Sequence, residues 1–404
     1  MIGRVYVPTL DGDRNIRLQL SERALPADVV ADSGVLRSST ASVRSTAVLY
    51  AIDESGGLLG IEMEPISISD GRLCFDPSGG GVRTRENRLA LGGHNFVVAE
   101  ATRFGAVNTF FHLSLALDYL DSLLRDVGAP ALPHLEAVVG AHSGSRVAGF
   151  GQGDGDRRKG RILPLHGGHY RLSQLTSGVP ELTPVSPTGE IHLGPGRIRR
   201  PFATQSSYLR SAAHNPAIIY HEVGHHLCRF TADFRCNADR KPHRQRNGKP
   251  GIEEGISDYF AAALLRTGRA YGWFHRDGGV RRDVTVRRSA TSLSDLEEPH
   301  TTGAVWASFL WQCREQLVAN GSLPDVTAHD RVVVRMLTLL GESSDALTTR
   351  REREAQKVHP HTIIAVYLTA LREAGGSAAA AIAEAAIGRM RLRDAPLTGR
   401  ALEC

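Results

Sequence analysis

Residues 221–225 read HEVGH, and after 28 intervening residues the chain reads EGISD at positions 254–258. Residues i and i+4 of a helix lie about 40° apart around its axis, so His221 and His225 project from one face. Two imidazoles one turn apart can occupy two corners of a tetrahedral zinc site. Glu254 is the natural third ligand, because a catalytic zinc needs three protein ligands and one open position. The two segments therefore predict a site for one zinc ion.

Two acidic residues complete this prediction. Glu222 follows the first ligand and is placed to act as a general base toward an attacking water. Asp258 lies one helical turn after Glu254, where its carboxylate can orient a ligand histidine through a hydrogen bond. An HExxH pentapeptide also arises by chance on surface helices. The apolar run at 215–220 (NPAIIY) and the second acidic segment argue against that alternative.

The segments resemble the thermolysin and fungalysin group of zinc endopeptidases. In that group the zinc is held by the two histidines of HExxH and by a glutamate on a following helix. The resemblance implies that His221, His225 and Glu254 are the ligands, that Glu222 is the base and that Asp258 supports a ligand histidine. The metzincin group does not fit, because it requires a glycine at 228 and a histidine at 231, where the chain has cysteine and threonine.

Two further segments carry the resemblance, which covers roughly residues 105–320. Residues 105–124 look like the long helix that opens the peptidase unit of that group. Residues 299–311 (PHTTGAVWASFLW) look like its later H-x-x-G-x-x-W-A segment. The resemblance implies that His300 stabilises the transition state and that Asp295 is its acidic partner.

The chain departs from the group between the two metal-binding helices. Thermolysin-like enzymes have an oxyanion-binding tyrosine there, but residues 230–240 contain none, and Cys236 falls near its place. A basic segment, KPHRQRNGKP, follows at 241–250. We therefore expect oxyanion stabilisation to rest on the zinc and His300 alone, or on an arginine.

Substrate-binding residues are expected in two places. Residues 189–194 (GEIHLG) are a candidate edge strand, on which Ile191 and His192 would accompany an extended peptide added to the sheet. An ordinary structural strand is the alternative. The family places a carbonyl-binding arginine before the His300 segment, which favours Arg287 or Arg288. A solvated basic loop explains those arginines equally well.

Composition and charge narrow the class of protein. The chain has 404 residues, 41% of them hydrophobic, and a formal net charge of +5. No stripe of arginines interleaved with aromatic residues occurs, so we expect no nucleic-acid partner. No apolar run reaches 18 residues, so we expect no membrane span. The partner we expect is a peptide or protein substrate.

The cysteines and the N-terminus bear on the compartment. Five cysteines without a CxxC motif are typical of a reduced compartment rather than of a disulfide framework. Residues 1–20 lack a basic and then apolar export signal. We therefore expect a cytoplasmic protein, or a secreted one if a leader is missing from this sequence.

The pattern along the chain predicts an α+β fold of the two-lobed thermolysin-like type. Residues 1–104 are predicted to be a β-rich region, and residues 105–235 a peptidase lobe that contains the metal helix. Residues 236–404 are predicted to be an α-helical lobe. The glycine-rich loop at 151–160 weakly suggests Ca²⁺ binding through Asp154 and Asp156, with a solvated turn as the alternative.

These features predict a zinc-dependent endopeptidase that hydrolyses peptide bonds by metal-activated water. A narrow-specificity peptidase that processes one precursor is one form of this hypothesis. The missing tyrosine and the basic segment leave open a second hypothesis, in which the chain is a catalytically weak or inactive peptide-binding protein on a peptidase scaffold.

Overall fold

The structure is a computed structural model. It describes residues 1–32, 34–52, 58–63, 71–78, 99–145, 161–164, 167–172, 186, 188–194, 197–198, 208–209, 211–270, 282–293, 298–342 and 349–396. The chain divides into two compact units. The first unit comprises residues 1–7, 18–115 and 134–219, and the second comprises residues 8–17, 116–133 and 220–404.

The strands of the described residues are β1 (Ile2–Leu10), β2 (Ile16–Ala24), β3 (Val30–Asp32), β4 (Val35–Arg37), β5 (Ala41–Ile52), β6 (Leu58–Met63), β7 (Arg72–Leu73), β8 (Leu135–Val139), β9 (His142–Ser145), β10 (Arg161–Pro164), β11 (Gly168–Arg171), β12 (Glu190–Leu193), β13 (Arg197–Ile198) and β14 (Tyr208–Leu209). The helices are α1 (Ala99–Asp126), α2 (Pro216–Phe230), α3 (Gly251–Leu265), α4 (Pro299–Ala319), α5 (Val326–Glu342), α6 (Arg350–Lys357) and α7 (Pro360–Met390).

The largest sheet of the first unit has the strand order β11-β12-β8-β5-β4-β3, and β6 also pairs with β5. Strand β8 is parallel to both of its neighbours, β12 and β5, whereas the other pairs are antiparallel. Strand β8 is thus an interior strand, and its aliphatic side chains such as Leu135 and Val138 are buried, as is usual for a strand with parallel partners.

The prediction that residues 189–194 form an edge strand is wrong. Strand β12 pairs with β11 on one side and with β8 on the other, so its backbone groups already have partners on both sides. Ile191 and His192 are both buried within it. An added peptide strand requires a free edge, so the basis for assigning these two residues to substrate binding is lost.

The first half of α1 packs within the first unit through small and polar residues. A Cβ on Gly105 would lie 3.0 Å from the Ala213 side chain and 3.1 Å from that of Val139, so glycine permits a close approach there. The side chain of Asn108 accepts a hydrogen bond from the Tyr6 backbone N–H (2.8 Å). These contacts fix the helix against β1 and β8.

The second unit is built from helices that approach each other closely at glycines. A Cβ on Gly224 of α2 would lie 2.6 Å from the Ser257 Cα of α3. A Cβ on Gly255 of α3 would lie 2.6 Å from the Gly303 carbonyl oxygen of α4. Adding a side chain at either glycine would push the helix axes apart. These three helices carry the predicted metal ligands His221, His225 and Glu254 together with Glu222, Asp258 and His300.

The mixture of helices and strands is compatible with the predicted α+β class. The predicted boundary at residue 104 falls inside α1, and the second unit begins its long continuous segment at Tyr220. The proposed calcium loop at 151–160 and Asp295 lie outside the described residues. Among the helices that the structure describes, none combines the length and the apolar character needed to cross a membrane.

Candidate metal centre

Helix α2 places the two histidines of the HEVGH segment side by side. The Nε2 atoms of His221 and His225 lie 3.1 Å apart, and both side chains are almost completely buried. The helix forms because an apolar run (residues 217–220) precedes the histidines and buries the first turn. Glu222, also buried, lies between them on the same helix.

Helix α3 brings Glu254 against both imidazoles. Its Oε2 atom lies 3.1 Å from His221 Nε2 and 3.5 Å from His225 Nε2. Zinc–ligand bonds of 2.0–2.2 Å at tetrahedral angles separate ligand atoms by about 3.4 Å, so the three atoms have the spacing of a zinc site. Glu254 Oε2 is also buried without a well-formed hydrogen bond among the described residues. The donor set therefore fits a zinc ion.

The far nitrogen of each imidazole is held by the same helix. His221 Nδ1 lies 2.9 Å from Asp258 Oδ1, as predicted for a supporting carboxylate. His225 Nδ1 lies 3.0 Å from Glu253 Oε1 and 3.2 Å from the Ser257 hydroxyl. A carboxylate that accepts from Nδ1–H leaves the Nε2 lone pair for a metal. Such an arrangement of both histidines is suited to metal binding.

Arg282 holds the carboxylate that orients His221. Its Nε donates to Asp258 Oδ2 (3.1 Å), and its terminal nitrogen donates to Asp258 Oδ1. Burial by itself would raise the pKa of Asp258, but the charge of Arg282 and the bond with His221 lower it to about 2. The carboxylate therefore remains an acceptor at every physiological pH.

Negative charge accumulates where the imidazole nitrogens converge. Burial alone would lower the pKa of His225, but the charges of Glu254 and Glu253 raise it to about 10. Burial would raise the pKa of Glu254, whereas His225 lowers it well below its usual range. The carboxylates thus favour a cation at the imidazoles, and a divalent metal is a cation that can replace the proton.

His300 of α4 reaches the same oxygen from a more exposed position. Its Nε2 atom lies 3.2 Å from Glu254 Oε2, and its side chain is 41% exposed. Ligand atoms of His221, Glu254 and His300 lie within 4.8 Å of one another, so this trio also has the composition of a metal site. Among the described residues, the acidic group on His300 Nδ1 is Glu298, and the prediction of Asp295 as its partner stays untested because Asp295 lies outside them.

The remaining predicted residues have other contacts. Arg287 is exposed and donates from Nε to Gln312 (3.3 Å). Arg288 is half-buried, and burial lowers its pKa while Asp283 opposes the shift. Among the described residues, Arg282 is the arginine that contacts the ligand cluster. Cys236 is buried, and burial raises the pKa of its thiol, so a neutral thiol occupies the position near which thermolysin-like enzymes have a tyrosine.

Sequence reasoning missed Glu253, Arg282 and Glu298. A signal for Glu253 existed, because it lies one turn before Ser257 just as Glu254 lies one turn before Asp258. On the neighbouring helix, Glu253 and Ser257 thus contact His225, and Glu254 and Asp258 contact His221. Arg282 and Glu298 lie in irregular chain, where spacing carries no such information.

Comparisons with known proteins agree with a metallopeptidase relationship. The extracellular metalloproteinase of Aspergillus flavus is 30% identical over 139 residues, which cover 31% of this chain. The matched segment spans 21% of that relative's length. A search against protein-family models finds no match. The similarity supports a distant relationship to metalloproteinases and implies a metal, typically zinc.

Proposed function

We propose that this protein is a zinc-dependent endopeptidase of the thermolysin and fungalysin type. The observation that carries the proposal is the spacing of His221 Nε2, His225 Nε2 and Glu254 Oε2, which lie 3.1–3.5 Å apart. Each imidazole is oriented for ligation by a carboxylate of α3. The similarity to a fungal metalloproteinase supports the same reaction class.

Each residue of the site has a separate role in the proposed reaction. A zinc ion held by His221, His225 and Glu254 would supply Lewis-acid chemistry to the site. Glu222 takes a proton from the attacking water and returns it to the leaving amine. His300, oriented by Glu298, donates to the oxyanion that develops on the scissile carbonyl.

The substrate we propose is a peptide segment, without nucleic-acid or membrane partners. Narrow specificity for one precursor is the finer form of the proposal. The basic segment at 241–250 supports it, because that segment is an ordered part of the second unit. The side chain of Asn237 bonds the backbone of Arg246 through both its polar groups, and an Arg246 terminal nitrogen lies 3.7 Å from Glu354 Oε1.

The test is cleavage of a diverse peptide pool by the zinc-loaded protein, read by mass spectrometry beside Glu222→Gln. Cuts made by the wild type and absent from the variant support the peptidase and report its cleavage preference. A chelator should abolish the same cuts. Equal cleavage by Glu222→Gln would refute the proposal.

The second candidate is a catalytically weak peptide-binding protein. The buried thiol of Cys236 near the place of the family's tyrosine favours it, because a neutral thiol is a weak hydrogen-bond donor. This candidate predicts peptide binding by the zinc-loaded protein with no cleavage of any pool member. Cuts that the wild type makes and Glu222→Gln does not make would exclude this candidate.

A further inference from the structure

A buried polar network lies behind helix α3. Tyr259 follows Asp258 on this helix and lies about 140° around the axis from Glu254. Its side chain is completely buried. The hydroxyl lies 2.8 Å from His329 Nδ1 and also donates to Asp330, and both partners belong to α5.

Asp330 is the centre of this network. Its carboxylate is completely buried, and Arg314 of α4 binds both oxygens, from Nε (3.0 Å) and from a terminal nitrogen (3.2 Å). Tyr119 of α1 donates to the second oxygen. The guanidinium lies over the ring of Trp311, 5.0 Å from its centroid. The negative charge is therefore balanced and its oxygens are occupied by donors.

The protons of the network can be assigned from its contacts. Tyr259 has one hydroxyl proton, which goes to Asp330, so its oxygen must accept from His329 Nδ1–H. His329 Nε2 then accepts from the hydroxyl of Tyr367, 2.8 Å away on α7. Burial lowers the pKa of His329 to about 3, in agreement with this neutral tautomer. The chain of hydrogen bonds has one consistent direction and leaves none of these groups unpaired.

We propose that this network, which we call the Tyr259 lock, is the positioning device of the metal site. Helix α3 alone carries Glu253, Glu254 and Asp258, so a rotation or sliding of this helix displaces a ligand and both supporting carboxylates together. The inference rests on the proposed metal function.

Apart from the hydrogen bonds of the site itself, from Asp258 and Glu253 to the two histidines, the close contacts of α3 do not set its register. Its approach to α2 and α4 occurs at Gly224, Gly255 and Gly303, where close packing limits distance but offers no directional bond. Hydrogen bonds to a buried, charge-balanced carboxylate are directional. Fixing the register between packed helices is the best-attested role of such buried polar groups. The lock supplies the direction that the glycine contacts lack.

The test compares zinc affinity in Tyr259→Phe and wild type by competition with a chromophoric chelator. Loss of a group that supports metal ligands typically weakens metal binding 10–100-fold, and we expect a weakening in that range. The visible absorption of the Co²⁺-loaded variant should also differ from that of the wild type, because ligand geometry changes. The matched control is Met390→Ala, a truncation of the core at the end of α7.

The outcomes separate the lock from the proposed function. Met390→Ala should lower the melting temperature and leave zinc affinity and the Co²⁺ spectrum as in the wild type. Wild-type zinc affinity in Tyr259→Phe, or an equal loss in Met390→Ala, overturns the lock alone. A wild type that binds no zinc overturns the metal site and the lock together. If Tyr259→Phe does not fold, Tyr119→Phe removes a half-buried donor to the same carboxylate, and unchanged zinc affinity there overturns the lock.

Discussion

At the scale of single residues, the role of His300 separates two possible ligand sets. His225 and His300 both approach Glu254 Oε2, at 3.5 and 3.2 Å. His225 is buried and its Nδ1 is held by Glu253, whereas His300 is 41% exposed. This difference favours His225 as the permanent ligand and His300 as the donor to substrate.

We expect His225→Ala to lose bound zinc and His300→Ala to retain one zinc per chain. The loss of one oxyanion donor typically lowers kcat about 100- to 1000-fold, so His300→Ala should show that decrease with the metal still bound. Metal content and kcat, measured on the same samples, check the prediction. Zinc lost from His300→Ala and kept by His225→Ala would assign the metal to the trio that contains His300.

Glu298 should set the pH range over which His300 donates. Burial by itself lowers the pKa of His300, but the hydrogen bond with Glu298 and the charge of Glu254 raise it above its ordinary value. A raised pKa keeps the imidazole protonated to higher pH. In Glu298→Gln the alkaline limb of kcat/KM should therefore move to lower pH, with zinc content unchanged. An alkaline limb at the same pH in both proteins would contradict this role.

At the scale of elements, the approach of α2 to α3 depends on Gly224. A Cβ there would lie 2.6 Å from the Ser257 Cα, which is backbone and cannot rotate away. Overpacking of this kind typically costs about 1–3 kcal/mol. We expect Gly224→Ala to lose that much stability in denaturant titrations and to bind zinc more weakly, because the helices that hold the ligands separate.

Gly388 is the matched control for this substitution. It is an exposed glycine within α7, and no atom lies within 4 Å of a Cβ added there. Alanine stabilises a helix relative to glycine by about 0.5–1 kcal/mol, so Gly388→Ala should gain stability without changing zinc affinity. Stability unchanged in Gly224→Ala would show that α2 and α3 lie further apart than described.

At the scale of the whole molecule, buried neutral histidines make the free energy of unfolding depend on pH. Burial lowers the pKa of His112 and His214 to about 4 and that of His329 to about 3, from an ordinary value of 6.5. The unfolded chain therefore binds protons that the folded chain excludes. Their contribution to stability is complete above pH 6.5 and is lost as the pH falls toward 4, by about 1.4 kcal/mol per pH unit for each proton.

A single substitution can isolate one of these protons. His112 bonds the Tyr6 carbonyl oxygen through Nε2 (2.9 Å), and a glutamine amide can donate to the same oxygen. We expect His112→Gln to reduce the slope of unfolding free energy against pH by about one proton between pH 6 and 4.5. Denaturant titrations across that range check this, and an unchanged slope would mean that His112 is protonated in the folded state.

The sequence alone identified the residues whose chemistry depends on local spacing. Helical periodicity predicted that His221 and His225 share a face, and one further turn connected Glu254 to Asp258. The structure brings these four side chains together within hydrogen-bond or ligand distance. Periodicity succeeds here because both segments are regular helices, in which sequence spacing fixes direction.

Only the tertiary structure decided which distant groups meet. The pairing of β12 with two neighbouring strands shows that it lies inside a sheet. The sequence could not show this, because an apolar run looks the same whether a strand has one neighbour or two. Arg282 and Glu298 reach the site from irregular chain, where no period predicts direction. The Tyr259 lock joins side chains of five helices, up to 248 residues apart from Tyr119 to Tyr367. Such contacts depend on how helices pack, and local spacing does not encode that.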